Sequence, residues 1–307
     1  MITTSGLSKK FGDFQALQSM DLHVQKGEIY GFLGHNGAGK STTMNILVGL
    51  SRPTTGTAQV NGWDLNKISH PGDLHIGYLP EEPRFYPWLT GKETLEYLGS
   101  RWQKGPVQER VREMLDWVGL TAAANRRVGG YSRGMRQRLG MATALFYDSE
   151  LILLDEPSSA LDPEGRSDVL KLILDLKARG KTVFLSTHIL SDAERVCDRV
   201  GILVQGKMVL EKSLDTLFTE HVQSIYDLDT PAEGITAELV EKLTELSEVL
   251  NVDTTGDRIS ISVGHPDRDA KTILGFLAQT DLKIQSFNLR RATLEDIFLK
   301  EVGKNGH

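Results

Sequence analysis

The chain has 307 residues, 39% of them hydrophobic, which is enough for one large core and a smaller second one. Its net charge of −6 and pI near 5.8 argue against a broad nucleic-acid surface. Cys197 is the single cysteine, which excludes an internal disulfide; Met1-Ile2-Thr3-Thr4-Ser5 lacks the basic-then-apolar pattern of a secretory signal, and no apolar run reaches bilayer length.

From the start to about residue 219, short apolar runs alternate with helical patterns. Residues 28–33 read as a buried strand and residues 42–48 as the first turns of a helix. Further strands are expected at 74–79, Leu151–Asp155 and 182–186. Short uninterrupted strands followed by helices predict a mostly parallel sheet covered on both faces. Between about residues 82 and 148 the pattern changes to amphipathic helices at 90–101 and 106–118, with a third opening after Ser132. This reads as a helical insertion in an α/β core. Composition shifts again after Phe218, where a β-α-β-β-α-β order predicts a small α+β unit of ferredoxin-like type. Its strands are expected at 224–228, 250–253, Arg258–Val263 and 283–288, its helices at 237–247 and 268–279, and a last helix at 293–300. The expected division is therefore 1–219 and 220–307, ending in a polar, frayed tail.

Between the first strand and its helix lies Gly34-His35-Asn36-Gly37-Ala38-Gly39-Lys40-Ser41, the phosphate-binding P-loop pattern in the strand–loop–helix setting that it needs. Glycines let backbone N–H groups approach a phosphate chain, and the helix N-terminus adds partial positive charge. Lys40 is placed to reach the β/γ-phosphates, and the Ser41 hydroxyl to ligate Mg²⁺, so a nucleoside triphosphate is the expected ligand. The strand Leu151–Asp155 ends in Asp155-Glu156. Beside a P-loop the first acid suits support of Mg²⁺ and the second suits polarising an attacking water, against the plainer reading of acids that cap the next helix. Residues Ser132-Arg133-Gly134-Met135 open the third insertion helix, and Ser132 is a cap with a possible second phosphate contact. Arg126, Arg127, Arg133, Arg136 and Arg138 read mostly as a solvated face.

Taken in order, the P-loop, the insertion, Ser-x-Gly-x-x-Gln-Arg, Leu-Ile-Leu-Leu-Asp-Glu-Pro, Ser159-Ala160-Leu161-Asp162 and Ser186-Thr187-His188 resemble an ATP-binding cassette (ABC) ATPase over roughly residues 1–219. The resemblance implies a P-loop NTPase core of ABC type and a head-to-tail dimer, expected to be a homodimer, with two ATP molecules between the P-loop of one chain and the signature of the other. It implies that Phe11 stacks on adenine, that Gly34, His35, Asn36, Gly37, Ala38, Gly39, Lys40, Ser41 and Thr42 hold the phosphates, and that Ser41 and Asp155 serve Mg²⁺. Glu156 becomes the general base, His188 the γ-phosphate contact, and Asp162 part of the loop that couples the sites. The signature departs from the family's Leu-Ser-Gly-Gly-Gln at Arg133 and Met135, and Glu81 stands where the family carries a loop glutamine; it is a further Mg²⁺ ligand candidate.

Both variants, with the terminal Thr293-Leu294-Glu295-Asp296-Ile297-Phe298-Leu299, resemble bacterial and archaeal exporter subunits that work with a separate permease. The expectation is an ATPase on the cytoplasmic face of a membrane, held there by an integral-membrane permease, with no nucleic-acid partner. Residues 83–89 offer aromatics and prolines to receive the permease, unless they pack the insertion's own core. The alternative from another class is a cassette ATPase acting as a soluble mechanochemical or regulatory factor. Long coiled coils of that class are excluded, since only residues 41–131 separate Lys40 from Ser132.

Overall fold

A computed structural model describes residues 1–305, with the side chains at 222, 223, 291, 304 and 305 left out. The final two residues of the tail lie outside the described residues. The chain divides into two compact units, Met1–Leu214 with Phe298–His307, and Asp215–Ile297. The expected division at 219/220 thus moves to 214/215, and the last residues cluster with the first unit rather than the second.

The first unit opens with β1 (Ile2–Phe11), β2 (Phe14–Val24), β3 (Ile29–Leu33), α1 (Lys40–Leu47), β4 (Thr55–Val60), β5 (Trp63–Asp64) and β6 (Ile76–Leu79). The insertion follows as α2 (Gly91–Leu98), α3 (Val107–Trp117) and α4 (Arg133–Leu145). The core then resumes with β7 (Leu151–Asp155), α5 (Pro163–Ala178), β8 (Thr182–Thr187), α6 (Leu190–Val196), β9 (Arg199–Val204) and β10 (Lys207–Ser213). Strands run in the order β10-β9-β3-β8-β7-β6, all parallel except β10 against β9. β3, β7 and β8 are buried along their whole length, as expected of strands covered on both faces.

A second sheet, β2-β1-β4-β5, is antiparallel and was not expected from the alternation of strands and helices. Its first strand, ITTSGLSKKF, is mostly polar because one face meets solvent, so it carries no continuous apolar run. The buried faces of both sheets close on α1 in one core that joins Leu17, Val24, Met44, Ile46, Phe32 and Phe184. The strand expected at 74–79 is shorter, because residues Pro71–Leu74 form a 3₁₀ turn and His75 is left-handed at φ 50°. In the insertion, Thr90 and Glu93 form a reciprocal capping box at the start of α2, and Ser132 Oγ accepts from the Met135 N–H at 3.2 Å at the start of α4.

Past α7 (Leu214–Glu220), the second unit contains β11 (Val222–Asp229), α8 (Ala237–Thr244), β12 (Val249–Thr255), β13 (Arg258–Val263), α9 (Pro266–Leu277) and β14 (Ser286–Arg291). The strand order β12-β13-β11-β14, antiparallel throughout, is that of the expected ferredoxin-like split βαβ. Alternate residues Tyr226, Leu228, Ile259 and Ile261 pack with Leu243, Ile273 and Leu277 of the two helices. The final helix, α10, spans Leu294–Asn305.

Candidate functional site

The loop after β3 reaches α1 through Gly39 at φ 109°, a left-handed conformation in which a Cβ would also lie 2.8 Å from the Ala16 carbonyl. Lys40 at the helix start is only 5% exposed. Its Nζ donates to the carbonyls of Gly34 at 2.8 Å and His35 at 3.3 Å, and lies 3.1 Å from Glu156 Oε1. A groove of about 420 Å³ opens over this lysine. Asn36, Gly37, Gly39, Lys40, Ser41, Thr42, Glu81, Glu156 and His188 line it, together with Phe14 and Ala16.

The two acids at the end of β7 do different things. Glu156 has φ 47°, a conformation uncommon for a residue with a Cβ, held by hydrogen bonds from its N–H to Ser186 O and Oγ, both at 3.1 Å. This turn aims the carboxylate at the groove, where Oε2 meets His188 Nδ1 at 2.8 Å. Asp155 lies behind it and accepts a hydrogen bond from Ser186 Oγ at 2.5 Å. Burial raises the Asp155 pKa above the ordinary carboxylate value, against the Ser186 bond, and the charges of Glu156 and Glu81 add to the rise. Tyr78 is pushed up to about 12 by burial and by the Asp155 charge. Neither acid caps the next helix. That task falls to Asp162, whose Oδ1 accepts from the Gly165 N–H at 2.9 Å at the start of α5.

Other expected residues take other places. Gly34 and Ala38 are buried under the loop, and the His35 ring meets the Phe298 ring edge-on with centroids 4.9 Å apart. Phe11 does not line the groove: it is half exposed, and the Lys9 ammonium sits 4.9 Å from its ring centre. Its cross-strand partner Phe14 supplies the aromatic surface there instead. Ser132, Arg133, Gly134, Met135 and Asp162 do not line this groove.

Sequence reading gave no role to Ser186, which holds both acids, and passed over Phe14. A buried tie between Ser158 Oγ and Asp192 Oδ2 at 2.6 Å, extended by Arg166 to Asp192 at 2.7 Å, braces the turn after Glu156 against α6. The signal available was a run of polar residues at strand ends that burial makes costly unless paired.

A second groove of about 460 Å³ lies where the insertion meets the core, lined by Glu81, Glu82, Pro83, Arg84, Phe85, Pro87 and residues of α4 including Arg133, Arg136 and Gln137. Tyr86, Trp88 and Tyr97 form an exposed aromatic cluster, with Tyr86 and Trp88 centroids 5.1 Å apart. They do not pack the insertion's core. Of the arginine cluster, Arg126, Arg127 and Arg133 are exposed, whereas Arg136 donates to Tyr131 O at 2.6 Å and Arg138 reaches Val118 O at 3.3 Å.

The chemistry of the groove suits a nucleoside triphosphate with Mg²⁺. Mg²⁺ is commonly held by one or two carboxylates, a hydroxyl, substrate phosphates and water rather than by an all-protein cage. Ser41 and Glu81 at the groove and Asp155 behind it fit that pattern, and no cluster of three or more His, Cys, Asp or Glu ligands occurs among the described residues. No helix among them is long and apolar enough to cross a membrane.

Comparison with known proteins agrees with this geometry. The ABC transporter family matches residues 17–159, and the family "ATP-binding protein DrrA1-3-like, C-terminal domain" matches residues 212–302. The chain is 37% identical over 304 residues to the uncharacterized ABC transporter ATP-binding protein YxlF of Bacillus subtilis (strain 168), covering 98% of this chain and 99% of that one. It is 34% identical to the bacitracin transport ATP-binding protein BcrA of Enterococcus faecalis, covering 100% and 97%. The linearmycin resistance ATP-binding protein LnrL of Bacillus subtilis (strain 168) is 29% identical, covering 99% of both. Among solved structures, a dimeric ATP-binding cassette in a post-hydrolysis state with ADP and phosphate is similar with TM-score 0.64 and 28% identity, over 70% of this chain and 99% of that one. Subunits of this kind dimerise and pair with a membrane permease. The chain belongs to the ABC transporter ATP-binding family and is an ATPase that uses ATP with Mg²⁺.

Proposed function

We propose that the chain is the ATPase subunit of an exporter, working as a homodimer on the cytoplasmic face of the membrane and driving a separate permease. The observation that carries this reading is the convergence of Lys40, Glu156 and His188 in one groove over the P-loop. The relatives named for bacitracin transport and linearmycin resistance support the direction of transport.

In this reading Lys40 and the amides of residues 34–42 hold the triphosphate, and Phe14 offers the aromatic platform beside the base, the role first expected of Phe11. Ser41, Asp155 and Glu81 support Mg²⁺. When bound, that ion would offset the negative charge that develops on the transferred phosphoryl group. Glu156 accepts a proton from the attacking water, while His188, 2.8 Å from it, orients the carboxylate and contacts the γ-phosphate. As phosphates enter, Lys40 transfers its interaction from Glu156 to them, leaving the carboxylate as base. The exposed start of α4, with Ser132, Arg133, Gly134 and Met135, closes the partner's site, and Asp162 couples the two sites.

Glu81 borders both grooves, so a permease segment seated against the insertion would act on a residue of the nucleotide site. The exposed Tyr86, Trp88 and Tyr97 are the surface offered to it. Trp88→Ala should keep the ATP turnover of the isolated subunit and lose co-purification with a co-expressed permease. Loss of ATP binding instead would overturn this docking assignment.

The central test is light scattering of Glu156→Gln with and without ATP, beside turnover of wild type and Lys40→Ala. A Glu156→Gln dimer that forms only with ATP, with turnover lost in both variants, is the expected result. A monomer under every condition with wild-type turnover retained in Glu156→Gln would remove both the shared site and the general base.

A further inference from the structure

His35 sits at a pivot of the phosphate loop. Its carbonyl accepts from the Ala38 N–H at 3.1 Å and from Lys40 Nζ at 3.3 Å. The residue is exposed, and its ring meets the Phe298 ring edge to face, with an 80° interplanar angle. Phe298 itself is 3% exposed, in the second turn of α10. The start of that helix is firmly anchored. Leu294 and Ile297 are buried, and Asp296 accepts from the Thr293 N–H at 2.9 Å while Thr293 Oγ1 accepts from the Asp296 N–H at 3.2 Å. From Phe298 onward the chain clusters with the unit that holds the loop.

We propose that Phe298 is a positioning residue for ATP: it fixes the His35 ring and so holds the loop backbone in a shape ready for phosphate. The proposal rests on the ATP-binding reading above. A glycine-rich loop loses much conformational freedom when it closes on a ligand, and a contact that restricts it beforehand lowers that loss. Phe298 touches neither Glu156 nor His188 in any contact described, so its effect belongs to binding rather than to the chemical step. An edge-to-face aromatic pair changes an equilibrium constant by roughly two- to tenfold. Phe298→Ala should therefore raise the ATP dissociation constant and KM by about three- to tenfold, with kcat within about twofold.

The test uses the full chain and four variants: Phe298→Ala, Phe298→Tyr, His35→Ala and the double alanine. ATP affinity is read by calorimetry, turnover by phosphate release, and loop order by amide hydrogen exchange across residues 36–40 without nucleotide. Phe298→Ala should speed exchange in the loop and weaken ATP binding, and Phe298→Tyr should restore both. His35→Ala should give the same shift, and the double variant should add nothing to it. If Phe298→Ala fails to fold, the exposed His35 carries the test, with its exchange and affinity set against wild type. Unchanged exchange and affinity, or a double variant whose losses add in full, would overturn the role of Phe298. Failure of the wild-type chain to bind ATP would instead overturn the reading on which the proposal rests, while the exchange experiment still reports on the contact.

Discussion

Phe11 and Phe14 are directly opposed across a tight turn and so share a face of the sheet, yet only Phe14 borders the groove over the P-loop, while the Phe11 ring carries the Lys9 ammonium. Stacking of a base on an aromatic ring is worth about 1–3 kcal/mol. Phe14→Ala is therefore expected to raise the KM for ATP by about five- to a hundredfold with little change in kcat, while Phe11→Ala changes KM less than about threefold. Steady-state kinetics of the two variants side by side decide the matter; equal losses would return the base to Phe11. The glycines, Lys40 and Ser41 were legible because a phosphate loop needs fixed residue types at fixed spacing. Which of the two rings borders the groove was not, since both sit at the same turn and the choice depends on how the hairpin meets the loop. Ser186 escaped for a related reason: its role depends on β8 lying next to β7, which brings Ser186 opposite Asp155.

At the level of elements, buried strands and capped helices were legible and the half-solvated sheet was not. β3, β7 and β8 announce themselves as apolar runs, whereas β1 spreads Thr, Ser and Lys along its exposed face. The seat of the insertion on the core rests on a close approach that no pattern reveals. A Cβ at Gly77 in β6 would lie 2.1 Å from the Ala144 carbonyl of α4, and one at Gly140 would lie 2.4 Å from Leu79 Cδ1. A backbone carbonyl cannot swing aside, so Gly77→Ala must push strand and helix apart. The expected cost is about 1–3 kcal/mol or more. Urea unfolding of Gly77→Ala measures it; a midpoint equal to wild type would show that the helix has room to shift.

For the molecule as a whole, the two-unit plan was legible from the change in composition near residue 219, but the return of the chain's end to the first unit was not. A single helix at the end of a chain reads the same whichever unit receives it. The second unit also carries its own acid sensitivity. Burial would raise Asp227, but hydrogen bonds from Arg290 and Ser260 outweigh it and hold the carboxyl below the ordinary carboxylate value. A depressed carboxylate stabilises the fold fully above its unfolded pKa, and that contribution fades as pH falls through the lower folded value. Asp227→Asn should thus cost about 1–3 kcal/mol near pH 7 and show less further loss than wild type below about pH 4. Urea titrations at pH 7 and pH 3 test the sign; an equal acid loss in both proteins would place the sensitivity elsewhere.

The pairing of Lys40 with Glu156 has a consequence for how tightly this protein holds nucleotide. In the proposed site Glu156 is a tethered rival of ATP for the same ammonium, so the affinity becomes a difference between two attachments rather than the strength of one. Removing the rival's charge should let Lys40 meet the phosphates unopposed. Glu156→Gln would then bind ATP more tightly even when diluted to a monomer, before any closing of two chains contributes. An affinity equal to wild type in the dilute variant would mean that the lysine gives up its carboxylate at no net cost.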